Sequence, residues 1–296
     1  MALPDIELLL NLSKLYGVSI NELLEDNSLL YRLSNRPFLT ENGIACYTPS
    51  LSADPAWRHW ECQMHEEKWV HRNWRNAWSL PGGWEDNTYE KNHRPDRLRI
   101  GKQIAQRGGV ILEIGAGPGG GYMPYILQAD PTAQIIIADL SHGVVREWKQ
   151  FLDKELDSPH LCFAAMDFCD IPFGDCTVDV VSDHGAIINC IGNRRDALRE
   201  VYRVLKPGGL LVSLNGFVTK ETLSALPQHA QDTLIQEYPN IFDNLYEDTV
   251  LAGFQKIDSI ITGGWSTEED ESAIADFVRS LGVNVQFTEY VRFCEK

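Results

Sequence analysis

A glycine-rich run and an acidic residue downstream of it have the residue types and spacing to do chemistry. The run reads EIGAGPGGG from Glu113 to Gly121 and follows a short apolar stretch. Glycine lacks a Cβ, so the backbone can turn tightly and approach a ligand, while the helix expected to follow presents free amides at its start. Asp139 lies 24 residues after Gly115, where a carboxylate can accept ribose hydroxyls. The pattern predicts a site for a nucleoside-containing cofactor.

These residues alone leave the cofactor open. Gly115, Gly117 and Gly120 also satisfy the GxGxxG pattern of dinucleotide sites, so a nicotinamide dinucleotide and a sulfonium nucleoside both fit. A strand-to-helix turn that binds nothing is the structural alternative. Residues beyond the glycine run are needed to separate these cases.

Composition narrows the function classes. The 296 residues carry 26 basic and 42 acidic side chains, a net charge of −16 that disfavours nucleic acid as a partner. No apolar run approaches the roughly 20 residues that span a bilayer, and the start does not read as a secretory signal. Seven dispersed cysteines without a CxxC pair indicate reduced thiols and no metal site. We expect a soluble, cytoplasmic protein with no membrane partner.

Strands and helices alternate from residue 107 onward. Short apolar stretches alternate with segments whose apolar residues recur at helical spacing. The apolar stretches predict strands over 110–114, 135–138, 162–166, 178–182 and 210–214. Lys206–Gly209 is predicted to end the helix before the last of these. The alternation predicts an α/β fold with a doubly wound, mostly parallel sheet whose ligands lie at the carboxyl ends of the strands.

Further motifs in the same order separate the cofactors. Asp167 ends the third strand, IPFGDCTVDVVS spans 171–182, and the following helix ends in LKPGG. Together with Glu113 they make the sequence resemble the class I S-adenosylmethionine-dependent methyltransferases, most closely their small-molecule, type 11-like branch. The resemblance covers about residues 95–295. It implies a Rossmann-like sheet of seven strands, the sixth after a turn at Gly253 and the seventh antiparallel over 285–293.

The resemblance also implies a set of S-adenosylmethionine-binding residues. The methionine part would be lined by Glu113, Gly115, Gly117 and Gly119. The ribose would be bound by Asp139 with Leu140 beside it, and the adenine edge by Asp167 and the amide of Phe168. Just past the fourth strand, the pocket would be closed by Ser182, Asp183 and His184.

A tryptophan-rich segment precedes this domain. Steps of three and four from Trp57 to Trp78 give one helical stripe interrupted only by Glu67, which predicts a helix that either packs on the domain or covers the methyl-transfer site as a lid. If the acceptor must lose a proton, the candidate general bases are His184, His71 and Glu67, in that order. The HEEKWVH run does not fit the HExxH zinc spacing, so no metal ligand is expected there.

The amino-terminal segment reads as two helices over residues 1–26. It resembles the last two helices of a Cro-like helix-turn-helix domain, but the helices that enter DNA in that family are absent, so DNA reading is not expected. Its leucines would pack on the rest of the chain or on a second protomer in a homodimer. The predicted division is 1–26, an aromatic-rich lid and linker over 27–106, and the methyltransferase domain over 107–296.

These observations predict an enzyme that methylates a small molecule by in-line transfer. The alternatives are a non-catalytic ligand-sensing regulator, a nicotinamide oxidoreductase and an arsenite methyltransferase. The last rests on the resemblance of residues 188–191, around Cys190, to a cysteine-bearing loop, although the matching cysteine after the fifth strand is missing. The acceptor itself cannot be read from the sequence.

Overall fold

The computed structural model describes residues 28–48, 68–156, 160–190, 193–238, 245–268 and 273–296, together with residues 6, 7, 10, 11 and 14. Those five amino-terminal residues are helical. The rest of the predicted pair of helices over 1–26 lies outside the described residues, as do Trp57 and Glu67. None of the described helices is long and apolar enough to cross a bilayer.

One twisted sheet organises the described chain. Its nine strands lie in the order β1-β2-β5-β4-β3-β6-β7-β9-β8. Strands β2 to β7 pair in parallel, whereas β1 and β9 pair antiparallel with their neighbours. The strands are β1 Leu39–Glu41, β2 Ile44–Cys46, β3 Val110–Ile114, β4 Gln134–Asp139, β5 Leu161–Ala165, β6 Val178–His184, β7 Leu205–Val218, β8 Lys256–Ser266 and β9 Gln286–Glu295.

Helices cover both faces of the sheet. Apolar side chains of α2 to α5 fill one face, and those of α1, α6 and the segment around α9 fill the other. The helices are α1 Ser28–Leu33, α2 Trp69–Ala77, α3 Thr88–Arg107, α4 Met123–Ala129, α5 His142–Glu155, α6 Arg194–Val204, α7 Lys220–Ser224, α8 Gln228–Glu237, α9 Tyr246–Ala252 and α10 Ala273–Ser280. The predicted doubly wound α/β class is confirmed.

The sheet has nine strands where seven were expected, because a hairpin extends it beyond β5. Strands β1 and β2 have three residues each, too short to show the alternation that reveals a strand. Asn42 and Gly43 join them with φ angles of 52° and 75°. Asn-Gly is the preferred pair for a two-residue hairpin, so this dipeptide was the available signal.

Two predicted boundaries on the carboxyl side were wrong. Helix α6 ends at Val204, and Lys206–Gly209 belongs to β7 instead of forming a helix cap. The backbone there is paired, since the Gly208 amide donates to the Lys296 carbonyl at 2.8 Å and the Lys296 amide donates to Gly209 at 3.0 Å. Strand β6 continues to His184, so Asp183 and His184 lie in the strand and not past it.

The tryptophan stripe is not one helix from Trp57 to Trp78. Helix α2 begins at Trp69, and Lys68 before it has a left-handed φ of 51°, which a continuing helix does not contain. Within α2, Trp74 is buried and its ring lies 5.7 Å from that of Phe151 on α5. The described part of the stripe therefore packs on the domain, as the simpler interpretation predicted.

Candidate active site

The glycine turn between β3 and α4 forms a cradle at the carboxyl edge of the sheet. A Cβ on Gly115 would overlap the Ala186 methyl group, and one on Gly121 would overlap Glu113 Oε1. In contrast, a Cβ on Gly117 would meet nothing closer than the Gly115 carbonyl at 3.9 Å. All three glycines have positive φ angles near 55°. As far as the described residues go, the turn is thus packed underneath and open above Gly117, where a ligand can approach the backbone.

Side chains from two neighbouring elements and from α2 hold this turn in place. The Gly117 amide donates to Asp139 Oδ2 at 2.8 Å, and Trp148 Nε1 donates to the Gly117 carbonyl at 2.9 Å. Asn73 on α2 donates to the Pro118 carbonyl at 3.4 Å. The tryptophan-rich helix therefore contacts the loop directly, and both backbone groups of Gly117 are fixed before any ligand binds.

Asp139 lies at the end of β4, as predicted. Its two oxygens accept the amides of Gly117 and Ser141, each at 2.8 Å, with Leu140 between the strand end and Ser141. Burial raises the pKa of Asp139 from 3.8 to about 6. A carboxylate has about four acceptor positions, so two remain for the hydroxyl pair of a ribose.

Glu113 is a carboxyl group buried directly below the turn. Its Oε2 accepts the Ser182 hydroxyl at 2.5 Å, whereas Oε1 faces the Tyr122 amide without forming a well-aligned hydrogen bond. Burial raises the pKa of Glu113 well above 4.5. A buried carboxyl in this position is stabilised when a cation arrives above the turn, and the ammonium group of a methionine moiety supplies one. The described residues thus fit the sulfonium nucleoside.

Asp167 and Phe168 lie beside the turn, after the end of β5. Asp167 Oδ1 accepts the Cys169 amide at 2.8 Å and leaves the other oxygen available. The Phe168 ring would be 3.5 Å from a Cβ on Gly115. The structure therefore brings the predicted adenine residues next to the predicted methionine residues.

Asp183 and His184 point to opposite faces of β6, as successive strand residues must. Asp183 accepts the Ser213 hydroxyl at 2.5 Å and the Ala186 amide at 2.6 Å, which fixes the loop after the strand. Burial raises the pKa of Asp183 to about 6. His184 lies on the α3 face, with its ring centroid 5.0 Å from that of Tyr122. Burial lowers the pKa of His184 to about 3, so this imidazole is neutral at pH 7.

A second polar group lies beside His184 and was missed in the sequence. We call Tyr89, His93 and Arg97 on α3 with Glu289 on β9 the α3–β9 cluster. Tyr89 Oη donates to Glu289 Oε1 at 2.5 Å, and His93 Nε2 lies 2.9 Å from Glu289 Oε2. The only sequence signal was the four-residue spacing of the three α3 members, which places them on one helix face.

The geometry of His93 explains its titration. Its Nδ1 lies 2.7 Å from the Tyr89 carbonyl and carries a proton to donate there, so Nε2 faces Glu289. A second proton on Nε2 is favoured by that carboxylate, and the pKa of His93 is raised above 6.5 accordingly. Burial acts to raise the pKa of Glu289, but the bonds from His93 and Tyr89 outweigh it and lower that pKa. Both shifts favour an imidazolium–carboxylate ion pair in which the two ring nitrogens of His93 are occupied.

Several buried polar atoms around this cluster have no hydrogen-bond partner among the described residues. Strand β8 contains an extra residue, Thr262, and at Gly263 a Cβ would be only 2.7 Å from His93 Nε2. Buried polar atoms without a hydrogen-bond partner are rare in protein interiors unless water or a ligand satisfies them. The unpartnered atoms are Arg97 Nε, Tyr122 Oη, His184 Nε2 and Thr262 Oγ1.

The other two predicted bases are placed differently. His71 is exposed on α2, and its ring lies 4.7 Å from that of Phe151. Glu67 lies outside the described residues. Of the three, the structure therefore brings His184 to the carboxyl edge of the sheet, beside Glu113 and the α3–β9 cluster.

Comparison with known proteins gives a domain family and a fold. Residues 112–213 match the methyltransferase domain family. The chain is 32% identical over 119 residues to the ubiquinone/menaquinone biosynthesis C-methyltransferase UbiE of Ectopseudomonas mendocina, covering 40% of this chain and 46% of that protein. For UbiE of Geobacter sulfurreducens the values are 36% over 110 residues, 36% and 41%. The chain thus spans less than half the length of these curated relatives.

Solved structures share the fold. Phosphoethanolamine N-methyltransferase 2 of Haemonchus contortus, in complex with phosphomonomethylethanolamine and S-adenosylhomocysteine, superposes with a TM-score of 0.52 at 16% identity, covering 82% of this chain and 60% of that one. The shared fold is the Rossmann-like fold of the methyltransferases. Residues 112–213 are the part of the chain that is similar to the methyltransferase domain family.

Proposed function

We propose that this protein transfers a methyl group from S-adenosylmethionine to a small-molecule acceptor that gives up a proton. When bound, S-adenosylmethionine supplies an activated methyl group on a sulfonium. Its sugar is held by Asp139 and its ammonium group lies above Glu113. The space that the described residues leave open above Gly117, beside the buried Asp139 and over the buried Glu113, is the observation that supports this donor site.

The acceptor would lie between that donor site and the α3–β9 cluster. The neutral His184 accepts a hydrogen bond at Nε2, and the Tyr122 hydroxyl is free to donate one. Both atoms are buried. A polar acceptor that forms hydrogen bonds with them would supply the partners that the protein interior does not provide. Specificity would come from this polar wall.

We assign His93 and Glu289 to the wall of the acceptor site and not to proton transfer, because His93 Nδ1 donates to the Tyr89 carbonyl and Nε2 faces Glu289, which leaves no ring nitrogen for a substrate proton. The proton that the acceptor gives up passes to water. The curated relatives are named as C-methyltransferases. A carbon acceptor loses a C–H proton on methylation, so it needs a base as much as a hydroxyl or an amine does. His184, predicted as the first candidate, is hard to protonate because its pKa lies near 3.

Calorimetry with S-adenosylhomocysteine tests the donor site. We expect saturable binding that Asp139→Ala weakens strongly. Asp153→Ala is the matched control, because this exposed carboxylate on α5 pairs only with Lys149. Absence of binding at millimolar nucleoside would reject the proposal. Binding without methyl consumption across an acceptor library would favour the ligand-sensing alternative.

A second candidate is arsenite methylation, and one distance favours it. Cys169 Sγ lies 3.2 Å from Cys190 Sγ, so two thiols are adjacent where only Cys190 was expected. Two thiols at this distance can each displace one hydroxide from arsenous acid, forming two As–S bonds and releasing two molecules of water. Turnover of trivalent arsenic by the wild type and by Cys176→Ser, lost in Cys190→Ser, would support it. No turnover in the wild type would exclude it.

A further inference from the structure

Three side chains with metal-binding atoms meet on the far side of the glycine turn from the α3–β9 cluster. Each offers one ligand atom, namely a carboxylate oxygen of Glu41, the sulfur of Cys46 and a ring nitrogen of His142, and all three atoms lie within 4.8 Å of one another. We propose that Glu41, Cys46 and His142 form a binding site for a divalent cation of the zinc type. No sequence motif announces it, because the ligands come from β1, β2 and α5.

The hairpin and the start of α5 bring these residues together. In the β1–β2 pairing, Glu41 lies opposite Ile44 and Leu39 lies opposite Cys46, so Glu41 and Cys46 share one face of the hairpin. Strand β2 pairs with β5, and Cys46 lies opposite Ala165 at the carboxyl edge. His142 is the first residue of α5 at the same edge.

The distances fit tetrahedral coordination. Cys46 Sγ lies 3.7 Å from His142 Nδ1. With zinc bonds of about 2.3 Å to sulfur and 2.0 Å to nitrogen, a tetrahedral angle separates the two ligand atoms by about 3.5 Å. A cation between them therefore requires a shift of about 0.2 Å. The Glu41 side chain is exposed and can complete the third bond by changing rotamer.

The orientation of His142 is fixed by a partner outside the cluster. Its Nε2 donates to the Thr48 carbonyl at 2.9 Å, so Nδ1 is left with a lone pair facing the sulfur. Metal-binding histidines are held in this way, with the other ring nitrogen donating to a carbonyl or carboxylate. A chance contact between a cysteine and a histidine does not require this tautomer.

The donor set selects the class of cation. One sulfur, one nitrogen and one oxygen suit zinc or a similar borderline metal, whereas Mg²⁺ and Ca²⁺ prefer oxygen throughout. On binding, the Cys46 thiol releases its proton to solvent, and the thiolate and carboxylate balance the two charges of the cation. The fourth position is left for water. The bound ion would tie the hairpin to the start of α5.

Cobalt titration tests the site without any methyl donor or acceptor. Co²⁺ added to the full chain should give one equivalent of tetrahedral d–d absorption with a thiolate-to-cobalt charge-transfer band, both removed by Zn²⁺. Cys46→Ser should lose the charge-transfer band and at least 100-fold in Zn²⁺ affinity, and His142→Gln at least 10-fold. Cys176→Ser is the control, since this exposed cysteine precedes β6 and lies away from the hairpin.

Two results would overturn the proposal. One is the absence of a charge-transfer band in the wild type at a tenfold excess of Co²⁺. The other is a band that persists in Cys46→Ser while Cys176→Ser loses it, which places the bound ion elsewhere. Circular dichroism spectra of the variants show whether lost binding reflects lost folding. Because no nucleoside is present, failure here leaves the proposed methyl transfer untouched.

Discussion

Replacing Asp139 with asparagine separates ligand binding from folding. The wild-type carboxylate accepts the Gly117 and Ser141 amides, each at 2.8 Å, and two acceptor positions remain for ribose hydroxyls. Asparagine keeps the shape but turns one oxygen into an NH₂ group. This NH₂ group cannot accept a hydrogen bond from the backbone N–H or the ribose hydroxyl that it faces. The variant also removes the negative charge from the hydrogen bonds that persist.

The expected loss in binding is large. Hydrogen bonds to a charged group contribute about 1.5–3 kcal/mol each. Asp139→Asn removes the negative charge from the hydrogen bonds to the two ribose hydroxyls and replaces one acceptor oxygen. We expect it to weaken S-adenosylhomocysteine binding by about 3 kcal/mol. Since every 1.4 kcal/mol is tenfold, affinity should fall by about 100-fold.

The expected change in folding stability is small. Burial lifts the pKa of Asp139 from 3.8 to about 6, so burying the ionised form costs about 3 kcal/mol at neutral pH. Asp139→Asn removes this cost. It also leaves one backbone amide without an acceptor, which costs about 1–3 kcal/mol. The two effects oppose each other, so the free energy of unfolding should rise by about 2 kcal/mol at most at pH 7.

The folding stability of the wild type and that of Asp139→Asn should depend differently on pH. Because the pKa of Asp139 is higher in the folded chain than in the unfolded one, the folded wild type binds an extra proton between about pH 6 and 3.8. The wild type should therefore gain stability relative to Asp139→Asn as the pH falls through 6. Its nucleoside affinity should decrease over the same range, while that of the variant changes less. Asp183, with a similar pKa, is common to both proteins and cancels.

Isothermal calorimetry at pH 7.5 and 5.5 and urea unfolding at the same two values measure these quantities. An unchanged affinity at pH 7.5 would remove Asp139 from the ribose site. A loss of more than 3 kcal/mol in unfolding free energy would show that the carboxylate mainly supports the turn.

Three further substitutions test other parts of the site. Glu289→Gln removes the anion that raises the pKa of His93, so the pKa of this imidazole, followed by NMR, should fall; an unchanged pKa would contradict the His93–Glu289 ion pair. Gly121→Ala would force a Cβ onto Glu113 at a positive φ, so urea unfolding should show a loss of about 3 kcal/mol or more. Gly117→Ala has the same φ problem but open space, so it should lose only about 1–2 kcal/mol and yet weaken nucleoside binding; equal losses in both alanine variants would refute the cradle.

The sequence predicted the central strands and the positions of the glycine turn and Asp139. Strand β3 begins and ends where the apolar pattern predicted, and Asp139 stands at a strand end as expected. These features are local, because buried parallel strands are continuous apolar runs and glycine turns have a fixed spacing. The same locality explains the misplaced helix cap at Lys206–Gly209. Its glycines pair with the distant residue Lys296, and no local pattern shows that.

The α3–β9 cluster could not be predicted for the same physical reason. Tyr89 and Glu289 are 200 residues apart in the chain and meet only when β9 inserts between β7 and β8. The surroundings of His93 also depend on the extra residue in β8, which a single sequence does not reveal. Helix α3 further contains Pro95, which makes its pattern hard to read as one helix.

The acceptor side of the proposed site comes from two stretches of chain. The cradle, its acidic residues, Tyr122 and His184 lie within 112–213, the part similar to the methyltransferase domain family, whereas the α3–β9 cluster lies wholly outside it. Under the proposed function, substitutions in these flanking segments change which acceptor binds and leave the nucleoside-binding site unchanged. Relatives recognised through the shared stretch can therefore differ in what they methylate, and grafting residues 88–107 and 256–295 between them is the way to exchange that preference.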